Sequence, residues 1–142
     1  MPRAERPTPR LTDHVSDVHS QFGEDGCIAH IFDTIGVRSR VCVDFGAGDG
    51  LSCSNTAHLW RDQGWTAVLV EPDHGRFDAL EGTAGPYQTH RRRQLVTPDG
   101  PTSITEIVAA AGLDPNSLDL MSIAVGGAGY HIFAAPRCRP RV

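Results

Sequence analysis

The stretch Asp44-Phe45-Gly46-Ala47-Gly48-Asp49-Gly50 holds three glycines at every second position, with carboxylates at Asp44 and Asp49. Glycine lacks a Cβ, so a ligand can touch the backbone there, and the left-handed turns such a loop needs cost glycine nothing. The residues before the loop read as a strand and those after it as a helix, the context in which a glycine pattern carries weight. The unpaired N–H groups at the start of that helix favour negative charge, so a phosphate or a carboxylate fits there.

Two details bear on which ligand. The dinucleotide fingerprint is G-x-G-x-x-G, whereas this loop has one residue fewer between its second and third glycines. Asp44 and Asp49 would repel a pyrophosphate but suit a ligand with an ammonium, a sulfonium and a single carboxylate, which describes S-adenosyl-L-methionine. The candidate cofactor-binding residues are therefore Asp44, Gly46, Ala47, Gly48, Asp49 and Gly50; a nucleotide site and a purely structural turn are the alternatives. Glu71 ends the second strand 21 positions after Gly50, where a carboxylate can accept hydrogen bonds from both ribose hydroxyls. Its plainer reading is a solvated strand-end acid. Pro72 is placed to flank an adenine, and Asp73 to cap a helix.

Other chemical side chains point elsewhere. His131 is a candidate general base for an O-methyl transfer, with a solvent-facing helix position as the alternative. His58, His74 and His90 lack ligand spacing, so no metal site is expected. Arg91-Arg92-Arg93 reads as a solvated face ahead of a strand. Cys27, Cys42, Cys53 and Cys138 form no C-x-x-C pair and read as small buried hydrophobes.

The elements that must position these groups alternate. Ile28, Ile31, Phe32 and Ile35 make one helical face capped at Gly36. Val41 to Phe45 and Thr66 to Val70 read as strands, separated by a helix carrying Leu59 and Trp60, with Ser54 or Asn55 as its cap, and Trp60 and Trp65 as packing around this crossover. A third strand is expected near Gln94 to Val96, a helix with a capping box at Ser103 to Glu106, and a fourth strand over Leu118 to Val125. One more helix begins near Tyr130. Strands alternating with helices predict an α/β fold, a parallel sheet with helices on both faces, whose ligand sits beyond the carboxyl ends of the strands.

At 142 residues with 39% hydrophobic and 21% charged side chains, one globular domain is expected. All 13 basic residues are arginine, and the net charge of −4 supplies no broad field for nucleic acid. No run approaches the roughly 18 apolar residues of a membrane span, and no signal peptide is visible, so the expected location is cytoplasmic, with no membrane partner. Residues 1–12 read as a disordered leader and 13–142 as the domain.

From Ser20 nearly to its end the chain resembles the FkbM-type methyltransferase family. Ser20-Gln21-Phe22-Gly23-Glu24-Asp25-Gly26 is similar to the family's S-Q-x-G-[EQ]-D opening, Val43 to Gly50 to its V-[DE]-F-G-A-G-D-G loop, and Leu69 to Asp73 to its L-[IV]-E-P-D strand. Ser52 to Thr56 and Leu95 to Pro98 are similar to further family stretches. The resemblance implies a Rossmann-like class I methyltransferase fold, S-adenosyl-L-methionine as cofactor, and a small-molecule methyl acceptor, most often taking the methyl on oxygen. It also implies that Gln21 and the acids beside it close over the methionine end of the cofactor; helix capping is the other reading of Glu24 and Asp25.

The pattern departs at the fourth strand. There the family reads L-[LM]-S-I-D-[IV]-D-G, while this chain has Leu120-Met121-Ser122-Ile123-Ala124-Val125-Gly126-Gly127. Ala124 and Gly126 stand where the family carries acids beside the transferred methyl. Arg139-Pro140-Arg141-Val142 resembles the R-P-R-V that leads into the family's fifth strand. The expectation is a partial, truncated domain with strand order 3-2-1-4 and an unpaired edge on strand four, open to self-association. Three functions remain open: a methyltransferase or its cofactor-binding portion, a catalytically inactive remnant or binding subunit, and a nucleotide-binding α/β domain.

Overall fold

A computed structural model describes residues 8–135 and 137–142. Its centre is a four-stranded, all-parallel sheet in the order β3-β2-β1-β4, formed by β1 (Val41–Phe45), β2 (Thr66–Val70), β3 (Thr89–Arg92) and β4 (Leu120–Ile123). Helices α1 (Glu24–Ile35), α2 (His74–Ala84), α3 (Ile104–Ala110) and α4 (Gly129–Ala134) complete a Rossmann-like α/β fold.

The sheet divides the core because successive strand side chains point to opposite faces. Cys42, Ala67, Leu69 and Leu120 face one layer with Phe32 of α1, Leu80 and Ala84 of α2, Trp60 and Trp65. Val43, Phe45, Val68 and Val70 face the other with Ile104, Ile107 and Val108 of α3 and Ile132 of α4. The chain thus covers β1 and β2 on one face before it crosses to β4 on the other, and the strand order reverses between β1 and β4. Such a reversal opens a crevice at the carboxyl ends of the strands.

Local signals explain most boundaries. Gly36 (φ 74°) closes α1 with its N–H on Phe32 O at 2.8 Å. Asp73 caps α2 by accepting the Arg76 amide at 2.9 Å, and Ser103 caps α3. The expected helix after the glycine loop is a single π-helical turn, His58–Asp62. Ser54 Oγ accepts the amides of Thr56 and Ala57 at its approach.

Four expectations need correction. The third strand is not at Gln94 to Val96 but at Thr89–Arg92, so Arg91 and Arg92 lie within it and not ahead of it. A polar strand suits a sheet edge, where charges discourage further pairing, and Arg91 is fixed by Glu81 at 2.9 Å. The fourth strand is shorter than Leu118 to Val125. Its free edge is not bare: Val142 donates to Asp119 O and accepts from Met121 N, both at 2.9 Å, in the pattern of a parallel partner. Of the cysteines, Cys42 and Cys138 are buried, but Cys53 is exposed and Cys27 half-buried.

Residues 1–7 of the expected leader lie outside the described residues. Leu11–His14 form a 3-10 turn, and His14 stacks on His30 of α1 with ring centroids 3.5 Å apart. No helix among the described residues is long and apolar enough to cross a membrane.

Beneath the sheet, at the amino ends of the strands, buried Asp119 ties the bottom together. One carboxylate oxygen accepts the amides of Arg38, Ser39 and Arg40, and the other accepts Arg141 at 2.9 Å. Arg141 also donates to the carbonyls of Ile35 and Gly36 at the end of α1. Burial alone would raise the Asp119 pKa, but the Arg141 and backbone hydrogen bonds outweigh it and hold the carboxyl below its ordinary range.

Candidate cofactor-binding site

The glycine loop leaves β1 through a turn that the end of β2 anchors. Gly46 and Ala47 both donate their amides to Val70 O, at 2.9 and 3.0 Å. All three loop glycines have positive φ, at 84° for Gly46, 59° for Gly48 and 80° for Gly50, but their missing side chains serve different ends. A Cβ on Gly46 would stand 2.2 Å from Ala124 O, and one on Gly50 would stand 2.5 Å from Leu80 Cδ1. Those two glycines let the protein pack on itself. Gly48 has nothing within 4 Å of its would-be Cβ, so it is where the bare backbone faces open space.

Glu71, leaving the end of β2, is 3% exposed. Its Oε2 accepts the Gly48 amide at 2.8 Å and its Oε1 accepts the Asp73 amide at 2.9 Å. A carboxylate oxygen has two acceptor sites, so each oxygen keeps one for a ligand hydroxyl. Glu71 is thus a braced, buried carboxylate under the glycine loop.

Asp44, on β1 beside Leu69 of β2 and Ser122 of β4, is also buried. Its Oδ2 accepts Thr56 Oγ1 at 2.9 Å and Ser54 Oγ at 3.5 Å. Burial pushes its pKa up to about 6, against the pull of hydrogen bonds from Thr56, Ser122 and Ser54 and with a small push from the Glu71 charge. Asp49 differs. Its carboxylate accepts the amides of Leu51 and Ser52 and the Ser52 hydroxyl at 2.6 to 2.9 Å, a local turn of the Asx kind. Although burial opposes ionisation, those bonds lower its pKa.

A cleft of about 370 Å³ opens at the strand ends, lined by Gly46, Val70, Glu71, Pro72, Arg76, Leu95, Val96, Ala124, Val125, Gly126 and Ile132. It joins the loops after β1, β2 and β4 at the point where strand order reverses, and its volume falls in the range of small-molecule sites. Pro72 lines it beside Glu71. Arg76 and Ile132 line it too, and nothing in their local sequence marked them; Leu95, from the stretch expected to be the third strand, also lines it.

Several candidates lie apart from the cleft: of the loop from Asp44 to Gly50 only Gly46 lines it, and Asp44, Ala47, Gly48, Asp49 and Gly50 do not. Gln21 is exposed, and no hydrogen bond engages its side chain among the described residues. The acids near it serve their own segment: Asp25 accepts the amides of Val18, His19 and Ser20, and Glu24 accepts that of Phe22. That knot docks on the π-helical turn through His19 and Asp62, 2.9 Å apart. His131 is exposed on α4 with its ring against Tyr130, while its neighbour Ile132 turns into the cleft. The wall formed by Ala124, Val125 and Gly126 carries no titratable side chain.

No family model, curated protein or solved structure matches this chain.

Proposed function

We propose that this chain is the cofactor-binding portion of an S-adenosyl-L-methionine-dependent methyltransferase of the FkbM type. The observation that carries this reading is the pairing of Glu71 with Gly48: a buried carboxylate with spare acceptor capacity lies directly under the one loop glycine that faces open space. The residues fit the cofactor chemically. Glu71 suits the ribose diol, and Pro72, Leu95 and Val96 supply apolar surface for adenine. Asp44 adds negative charge behind the glycine loop without lining the cleft. When bound, S-adenosyl-L-methionine supplies an electrophilic methyl on a sulfonium.

A second reading, cofactor binding without methyl transfer, is favoured by the β4 wall of the cleft. Ala124 and Gly126 offer no carboxylate or imidazole to orient an acceptor or take its proton, and His131 lies outside the lining. The nucleotide-binding alternative has two buried acids against it, because Asp44 and Glu71 oppose a polyphosphate.

Calorimetric titration with S-adenosylhomocysteine separates binding from non-binding, and incubation with radiolabelled S-adenosylmethionine and hydroxylated acceptors separates turnover from mere binding. Saturable binding supports the cofactor reading. Methyl transfer by the unmodified chain would sink the non-catalytic one.

A further inference from the structure

At the amino ends of the strands, away from the cofactor cleft, a second concavity of about 480 Å³ is lined by Arg38, Arg139 and Arg141 together with Ser39, Asn116 and Ser117. The chain as a whole carries a net charge of −4, yet three arginines here meet one acid in the lining, Asp119. That acid is fully engaged: Oδ2 accepts the amides of Arg38, Ser39 and Arg40, and Oδ1 accepts Arg141. Arg141 is committed too, to Asp119 and to the carbonyls of Ile35 and Gly36. Asp114, close along the chain, is turned on its own loop, where it accepts the Asn116 amide at 2.9 Å and the Ser117 hydroxyl at 3.0 Å. Among the described residues the guanidiniums of Arg38 and Arg139 pair with no carboxylate and donate to no acceptor.

The fold fixes where these two cations stand. Arg38 lies in the link between α1 and β1, and Arg139 in the segment that follows α4. Both segments are moored to one carboxylate, since Asp119 holds the Arg38 amide and the Arg141 side chain. The Arg141 and Val142 amides also donate to Leu118 O and Asp119 O, which seats the second segment against the base of β4. Cations carried on backbone that is already fixed lose less freedom on binding.

An arginine fork matches the paired oxygens of an oxyanion. Two unengaged forks outnumber the acceptor positions of a single carboxylate, whereas the three terminal oxygens of a phosphate can be shared between them. We propose that this concavity is a binding site for a phosphate group, with Arg38 and Arg139 as its ligand-binding residues and Arg141 as the fixed third cation. The volume lies in the range of small-molecule sites, and the net negative charge of the chain disfavours nucleic acid as the source of the phosphate. The site lies apart from the cleft, so it does not rest on the cofactor reading.

The test is a titration of the full chain followed by proton–nitrogen NMR at low ionic strength, where surface charges are least screened. The probes are glycerol phosphate, inorganic phosphate, and sodium chloride at matched ionic strength. Both phosphates are expected to shift the amides of Arg38, Ser39, Arg139 and Arg141 saturably, leaving those of Gly46 and Glu71 in place, and chloride is expected to do neither. Tighter binding of the ester marks a phosphorylated small molecule as the source, and equal affinity marks free phosphate. Arg38→Ala and Arg139→Ala should each weaken phosphate binding about tenfold, and Arg139→Lys, which keeps the charge but not the fork, by less. Both side chains are exposed, so the variants should melt as wild type does, and Glu71→Ala should leave phosphate affinity unchanged. Shifts that chloride reproduces, or arginine variants that bind phosphate as wild type does, overturn the proposal. A short oligonucleotide that binds these arginines more tightly than glycerol phosphate overturns it as well, because the ligand is then a polyanion.

Discussion

A methyl group on Gly46 would stand 2.2 Å from the carbonyl oxygen of Ala124. The glycine loop and the end of β4 are therefore in backbone contact, and Ala124 N reaches Phe45 O at 2.7 Å beside it. Gly46→Ala must separate the two strand ends and hold alanine at φ 84°. The expected loss is about 3–5 kcal/mol, measured by urea denaturation. Gly48→Ala carries only the left-handed backbone cost of about 1 kcal/mol, yet should weaken cofactor binding more than its stability change explains. Equal losses for the two variants would refute this division of roles.

Glu71 joins structure to binding. Glu71→Gln keeps an acceptor for one of its two amides but loses the charge that strengthens hydroxyl bonds. S-adenosylhomocysteine affinity should fall about 10- to 100-fold, with stability changed by no more than about 2 kcal/mol. Calorimetry with a parallel melting curve checks both numbers.

The buried Asp44 carboxyl makes a pH-dependent statement about the fold. Its folded pKa of about 6 lies above its ordinary value of 3.8. Between those values the folded chain holds a proton that the unfolded chain has released, so stability falls as pH rises through this window. Asp44→Asn should therefore be more stable than wild type at pH 7.5, by roughly 1–3 kcal/mol, with the gain shrinking toward pH 4. The same variant should lose cofactor affinity. Denaturation midpoints at several pH values decide the point; a variant equally or less stable at pH 7.5 contradicts it.

Asp119 has the opposite sign. Its folded pKa is depressed, so its contribution is present above the unfolded value near 3.9 and is lost as pH falls toward the lower folded value. Asp119→Ala leaves Arg141 and three backbone amides without their acceptor. A loss of about 3–5 kcal/mol is expected at neutral pH, shrinking on acidification. A loss independent of pH would contradict the ionic account.

The sequence exposes what local rules govern. β1 and β2 are buried on both faces and appear as short apolar runs, and Gly36 and Asp73 mark helix ends by their intrinsic conformations. β3 escapes because Thr89–Arg92 is an edge strand without an apolar face. Gly46, Glu71 and Pro72 meet in the cleft at the strand ends, whereas Asp44, Ala47, Gly48, Asp49 and Gly50 fall outside its lining. Asp49 does not act as Glu71 does, since an acid in a loop can satisfy its own turn, and no sequence pattern separates the two uses. Thr56, Arg76 and the Asp119–Arg141 link depend on register and crossovers, which bring together residues whose positions along the chain carry no mark of the meeting.

The most direct test of the central claim is a calorimetric titration of the purified wild-type chain with S-adenosylhomocysteine, repeated with Glu71→Ala and with ATP in place of the ligand. The account predicts saturable one-site binding that Glu71→Ala abolishes and that ATP does not reproduce. A folded wild-type protein that gives no heat and no thermal shift with S-adenosylhomocysteine or S-adenosylmethionine, or that binds ATP instead, would contradict it.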